Sequence, residues 1–421
     1  MIFIGSLVES KTKIPYTITL IIIGIIVSFL VYLGIINNNF IDIRQFKFDP
    51  NLIVNFLIPP LIFEAMMQVD YYREYKPVRI PVLLLSTVGV VITTIVVGFI
   101  MIYIAHLPFA LSFLFVALIS STDAAIVIQT FKRTRVPKML ARILEMESSF
   151  NDATTIILFS SVVVFVYGSN SHSFVTESLT AANNVFDIKD LNNLFGGLLY
   201  FLFVFFGGIF IGLIVAIIGN RLHTLINDPF SDTALTIAGV FGAVTLANSL
   251  GVSGLIAVAI GGLFFGNVTM KRESTMSQDV RKAVSYFWQI AAFFANSIIF
   301  FYMGITMNII SISQNILLII LAFIVVLIAR AASVYPILSI VNKLRKKKIP
   351  SIWNNVIMIG GMRGALAVAL VTSLPAGELK DKLEALTFGV VLASLIIQYI
   401  ALTKYIKKKS SSLYSDMEDK N

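Results

Sequence analysis

The chain has 421 residues, 57% of them hydrophobic and 13% charged, with a net charge of +9 and a mean hydropathy of +0.89. A soluble domain carries about a quarter of its residues as charges, so this composition excludes one and points to a polytopic membrane protein. The absence of cysteine excludes a disulfide framework, thiolate chemistry and any cysteine-ligated metal, and the three histidines, His106, His172 and His223, lie too far apart to pair as metal ligands.

The apolar pattern predicts twelve full spans, at 15–35, 50–67, 81–106, 109–130, 139–167, 194–218, 232–249, 253–268, 284–311, 315–340, 352–374 and 383–403. A stub, Met1 to Val8, precedes them and is too short for a cleavable signal peptide. Segments of about twenty apolar residues cross the hydrocarbon as helices, because lipid offers the backbone no hydrogen-bond partners. The long loop at 168–193 is polar and expected to be mobile, and the tail ending "KKKSSSLYSDMEDKN" is expected to be disordered.

Lysine and arginine set the orientation. Of the 32, 25 fall in loops on one side, 5 (Arg44, Lys47, Lys189, Lys380 and Lys382) on the other, and Arg330 and Arg363 lie within spans. The positive-inside rule places the first side, with the C-terminus, in the cytoplasm. The basic charge is thus topological, and "KLRKKK" (343–348) needs no nucleic acid to explain it.

A few ionisable residues remain within spans, among them Glu64, Asp123, Glu145, Glu147, Asp152, Arg330 and Arg363. Such groups face a partner or a water-filled cavity. Glu145 lies early enough in its span to snorkel, whereas Asp152 sits about 20 Å in at 1.5 Å per residue. In "SSFNDATTIILFSS" (148–161), Ser148 and Asp152 share one helix face, and Glu147 and Asn151 the neighbouring one. The oxygens of Asp152, Ser148 and Thr155 can converge there on a hard cation or a proton; the alternative is a buried polar network that joins helices.

Two spans interrupt their apolar runs with small residues around one charge: "ISSTDAAIV" at Asp123 and "IGGMRGALAV" at Arg363. By the span count they run in opposite directions, as expected of an inverted-repeat secondary transporter whose unwound segments meet at the midplane. A carboxylate compensates exposed helix N-termini and a guanidinium exposed C-termini. Close packing or a simple bend is the other reading of "GGMRG".

These residues carry a resemblance. "ESSFNDA" resembles the E-S-x-x-N-D-A signature of the sodium/proton exchangers in the cation/proton antiporter superfamily, in the electroneutral NhaP and eukaryotic NHE branch. "FLIPPLIFEAMM", "GVSGLIAVAIGGLFFGN", "FWQIAAFFANSIIFFYMGI" and "GGMRGALAVAL" resemble further family segments, in family order. The resemblance implies an all-α polytopic fold with inverted repeats, two crossed discontinuous helices and a homodimer; here that is twelve full helices plus the stub of a thirteenth. It divides the chain into first dimerisation-domain helices (1–80), a core domain (81–167), an interface domain (168–283), the second half of the core (284–403) and a cytoplasmic tail (404–421). It assigns the transported ion or proton to Asp152, beside Asn151 and Ser148, with Thr122 and Asp123 in the first broken helix. Sodium is then held by Asp152, Ser148 and the Thr122 backbone, while Glu147 and Arg330 form a structural ion pair and Arg363 serves the second break. Glu64 is a possible additional site residue.

Three departures accompany it. Ala124 stands where many relatives have proline, the first family helix survives only as Met1–Val8, and no long regulatory tail follows, which points to a prokaryotic plasma-membrane protein. The expected activity is exchange of Na+ or Li+ for protons, one for one, with no cofactor and lipid as the surroundings. Potassium/proton exchange on the same fold is the alternative, followed by a channel, for which no filter sequence is present, and a non-transporting scaffold, for which such intramembrane charges are costly.

Overall fold

The computed structural model describes residues 14–33, 52–69, 76–134, 136–167, 194–271, 276–345 and 348–409, with isolated positions before Lys13 and Leu413 near the end. The Met1–Val8 stub lies mostly outside these residues, as do the 168–193 loop and the tail beyond Lys409 apart from Leu413.

Among the described residues all regular structure is helical. In chain order the helices are α1 (Tyr16–Tyr32), α2 (Ile58–Met67, led in by a π turn at Ile53–Leu57), α3 (Lys76–Ser86), α4 (Val88–Tyr103), α5 (Phe109–Ile119), α6 (Ala125–Thr134) and α7 (Lys138–Tyr167). They continue as α8 (Leu194–His223), α9 (Pro229–Ser249), α10 (Gly254–Phe264, with a π turn at Phe265–Thr269), α11 (Gln278–Thr306) and α12 (Ile309–Gln314). The last are α13 (Ile316–Leu344), α14 (Ser351–Ile359), α15 (Ala365–Thr372), α16 (Glu378–Ala393, with a π turn at Ser394–Gln398) and α17 (Tyr399–Lys408).

Six described stretches are long and apolar enough to cross a membrane: Val78–Tyr103, Leu202–His223, Pro229–Ser249, Gln278–Thr306, Ile316–Leu344 and Glu378–Lys408. The rest of the twelve expected spans correspond to the shorter α1, α2 and α10, to the interrupted pairs α5–α6 and α14–α15, and to the polar-bearing α7. Polar caps move several ends beyond the apolar windows. Helix α11 starts ahead of residue 284 because the Ser277 side chain accepts from Val280 N. Helix α9 starts ahead of 232 because Asp228 accepts from Ser231 N at 2.8 Å, a bond that also holds the Asp228 carboxyl below its ordinary range. The window 284–311 is cut at Thr306, since Asn308 Oδ1 accepts from Ile310 N and Ser311 N, both at 3.1 Å, and opens α12. Between α3 and α4, Thr87 Oγ1 donates to Leu83 O at 2.6 Å, and one span is interrupted there for a single residue.

Two groups of helices pack internally. Helices α1, α2, α8, α9, α10 and α11 form one, with α11 lying chiefly along α1, α2 and α9. Helices α3, α4, α5, α7, α13, α15 and α16 form the other, and α14 and α17 join it. A buried pair ties the α8–α9 turn of the first group: His223 Nδ1 lies 2.5 Å from Asp232 Oδ1, whose partner oxygen accepts from Asp228 N at 3.1 Å.

Candidate functional site

Between the two groups lies a cavity of about 600 Å³. Helices α2 and α11 line one wall, through Glu64, Gln68, Gln289 and Asn296. The 121–124 segment, α7 and the start of α15 line the other, through Ser121, Thr122, Asp123, Ser148, Asp152 and Gly364.

The second wall is built around two breaks. Ser, Thr and Asp compete for backbone hydrogen bonds and unseat a helix; residues 121–124 leave the helical path after α5, and 361–364 leave it after α14. Each break frees carbonyls that must find partners inside the protein. Asn151 Nδ2 donates to Ser120 O at 3.0 Å and to Thr122 Oγ1 at 3.2 Å. Ser148 Oγ donates to Thr122 O at 2.5 Å and accepts from Ala124 N at 3.2 Å. Arg363 Nη1 donates to Ser120 O at 3.0 Å and Ser121 O at 2.9 Å, so a guanidinium covers the carbonyl end of α5. The two breaks touch directly: Asp123 N donates to Met362 O at 2.7 Å. A Cβ on Gly364 would run into the Asp123 side chain, so a glycine is what lets that carboxylate lie against the start of α15.

Helix α7 presents its residues as helical spacing sorts them. Ser148 and Asp152 line the cavity, while Glu147, 1% exposed, and Asn151, 2% exposed, point into the second group. Asp152 is half-buried, and its Oδ1 is enclosed with no hydrogen-bond partner among the described residues; the same holds for Thr155 Oγ1, one turn on, and for Ser121 Oγ. Glu147 receives a two-pronged contact from Arg330: Nη1 to Oε1 at 2.8 Å and Nη2 to Oε2 at 3.0 Å. Arg330 Nη2 also donates to Ile357 O at 3.1 Å, near the carbonyl end of α14. Glu145 pairs with Arg142 at 2.9 Å near the start of α7, with both side chains about a third exposed. Glu64 accepts from Gln68 Nε2 across the cavity from Asp152.

Sequence reasoning passed over Gln289 and Asn296, although seven residues, two helical turns, place them on one face of an otherwise apolar span, and both line the cavity. It also passed over Ser121, for which an unpartnered buried hydroxyl was no sequence signal, and over the buried Asp232, which the apolar window placed at a helix end.

The chemistry available is that of a hard oxygen site. A carboxylate with an open oxygen sits beside a serine hydroxyl and a backbone carbonyl, and a second carboxylate, Asp123, lies at the same break. Such a set takes a small monovalent cation or a proton.

Known proteins resemble this chain over nearly its whole length. The family model for the sodium/hydrogen exchanger transmembrane region matches residues 1–408. The Na(+)/H(+) antiporter ApNhaP of Aphanothece halophytica is 32% identical over 398 residues, covering 94% of this chain and 70% of that protein. The Na(+)/H(+) antiporter NhaG of Bacillus atrophaeus is 30% identical over 406 residues, covering 95% and 72%. The solved sodium proton antiporter MjNhaP1 from Methanocaldococcus jannaschii superposes with a TM-score of 0.76 at 21% identity, covering 97% of this chain and 96% of that one, and shows the shared fold.

Proposed function

The chain belongs to the sodium/hydrogen exchanger family, and from that premise we propose that it exchanges sodium for protons with Asp152 as the single carrying group. The observation that supports Asp152 most directly is its Oδ1, enclosed and unpartnered at the wall of a large cavity of mixed polar and apolar lining. Ionised, Asp152 binds sodium; protonated, it carries the proton; empty and charged, it is too costly to move through a dry barrier. Ser148 Oγ and the Thr122 carbonyl, already hydrogen-bonded to one another, each keep a lone pair with which to complete the sodium shell. Lithium, with the same preference for oxygen, is a second substrate. Asn151 and Arg363 hold the first break in shape, and Glu147 with Arg330 anchors α7 to α13 and α14.

In this reading α3 to α7 and α13 to α17 are the moving core, and α1, α2 and α8 to α11 the interface body. The boundary then falls after Thr306 instead of at 284, since α11 packs chiefly with the interface helices. The cavity reaches Gln68, at the end of α2, and Glu145, two turns into α7, each next to a basic loop, so in this reading it opens to the cytoplasm, on the side of the C-terminus. The crossed inverted repeats, the homodimer and the thirteenth-helix stub belong to this proposal, and cross-linking in native membranes tests the dimer.

The function is tested with purified protein in vesicles holding a trapped pH dye, challenged with sodium, lithium and potassium in turn. Sodium and lithium are expected to move protons and potassium is not. Because both substrates need the same carboxylate, the apparent sodium affinity is expected to weaken as pH falls through the pKa of Asp152. A sodium affinity that stays constant across the active pH range would require separate sites. Potassium-driven flux of equal size would change the substrate assignment.

A further inference from the structure

The peptide group joining Met362 to Arg363 is held from both sides. Its carbonyl accepts from Asp123 N at 2.7 Å, and its N–H donates to Ser394 Oγ at 3.0 Å. Ser394 in turn donates its proton to Gln398 Oε1, and Gln398 Nε2 donates to Ile359 O at 3.1 Å, at the last residue of α14. Both lips of the second break, Ile359 and Arg363, thus end on one two-residue clasp. Ser394 and Gln398 are the first and last residues of the π turn Ser394–Gln398, and they are 1% and 5% exposed. Turns of this kind concentrate at functional sites. Two mid-span polar residues in "LASLIIQYI" had no assignment from the sequence.

The chemistry restricts who can fill the clasp. Serine uses its one proton toward Gln398 and keeps a lone pair for the Arg363 N–H. The residue at 398 must accept at one end and donate at the other, which a neutral amide does and a carboxylate does not. We propose that Ser394 and Gln398 are positioning residues for the ion site: they fix the Met362–Arg363 peptide that holds Asp123, and through it the Thr122–Asp123 segment beside Asp152. They do not touch the ion. This inference rests on the exchange reading.

Removing the hydroxyl in Ser394→Ala orphans the Arg363 N–H. One net hydrogen bond lost from the site's geometry corresponds to a rise of about threefold to tenfold in the apparent KM for sodium. Ser394→Thr, which keeps the hydroxyl, is expected to recover most of it. Gln398→Glu gives the sharper test. Protonated, the new carboxyl can accept from Ser394 and donate to Ile359 O; ionised, it cannot donate and sets a negative charge against the carbonyl end of α14. The charged groups at that end are Arg330 with its partner Glu147, and Arg363. The Gln398→Glu protein is therefore expected to approach wild-type exchange at the acid end of the range and lose it as pH rises, an extra titration that the wild type lacks. Gln398→Leu, of similar size, is expected to be impaired at every pH.

The measurement is sodium-driven proton flux in proteoliposomes, normalised to folded protein by size-exclusion chromatography, across pH and sodium concentration. Wild-type KM in Ser394→Ala together with a wild-type pH profile in Gln398→Glu would overturn the clasp and leave Ser394 and Gln398 as packing alone. Absence of sodium-driven flux in the wild type would instead overturn the exchange reading itself. If Ser394→Ala does not fold, the pH profile of Gln398→Glu, read from its acid end, still decides.

Discussion

Replacement of Asp152 by asparagine is expected to abolish exchange while leaving the protein folded. The amide is nearly the same size and is no costlier to enclose than a carboxylate, so packing around α7 should hold. It can neither ionise to bind sodium nor carry a proton. Asp152 Oδ1 is unpartnered, so no hydrogen bond to that oxygen is lost with the substitution. The variant should elute as a single peak in detergent with a melting temperature close to the wild type, and proteoliposomes should show no sodium-dependent proton flux. Substantial flux would remove Asp152 from the transport step.

The second large effect falls on stability. Glu147 and Arg330 lie 183 residues apart in sequence and meet as a buried, doubly hydrogen-bonded pair, 1% and 5% exposed. Removing one partner leaves an uncompensated buried charge and typically costs about 3–5 kcal/mol. Arg330→Ala also strips Ile357 O of its donor, so a marked loss of yield and a fall in melting temperature are expected. Removing both charges with apolar residues of similar volume, Glu147→Leu with Arg330→Met, should restore much of the loss, because a buried pair is often no more stable than well-packed apolar substitutes. Thermal unfolding in detergent with and without sodium reads this directly. A well-folded Arg330→Ala protein with altered sodium affinity would place Arg330 in the ion site instead.

How much of this was legible before the structure differs by element. Helical spacing separated the face of α7 with Ser148 and Asp152 from the face with Glu147 and Asn151, because the 3.6-residue period of a helix sorts positions by their spacing in sequence alone. The small-residue interruptions marked both breaks for the same local reason. What fills those breaks was not legible. That Ser148 Oγ binds the Thr122 carbonyl, that Asn151 spans Ser120 and Thr122, and that Gln398 reaches Ile359 are facts of tertiary approach between distant segments. The Glu147–Arg330 pair was legible only through resemblance. Helix ends were misplaced wherever a polar cap such as Ser277 or Asp228 starts a helix outside the apolar window. The apolar window of α11 carries no sign of which body the helix joins; its packing along α1, α2 and α9 does.

The stoichiometry follows from which groups titrate. Asn151, beside Asp152, is an amide, and it is occupied as a donor to the first break. In the proposed cycle Asp123, which lies against the start of α15, stays in one state throughout. In that cycle Asp152 alone alternates between one proton and one sodium ion, and no net charge is expected to move. The direct test is sodium/proton exchange in proteoliposomes under a potassium diffusion potential set with valinomycin, with the same potassium gradient lacking valinomycin as the control for transport of potassium itself. One-for-one exchange runs at the same rate, to the same end point, whatever the sign of the potential. A potential that by itself drives sodium uptake with no pH gradient would show that a second group, Asp123 or Glu64, also gives up a proton, and would contradict the assignment of the whole cycle to Asp152.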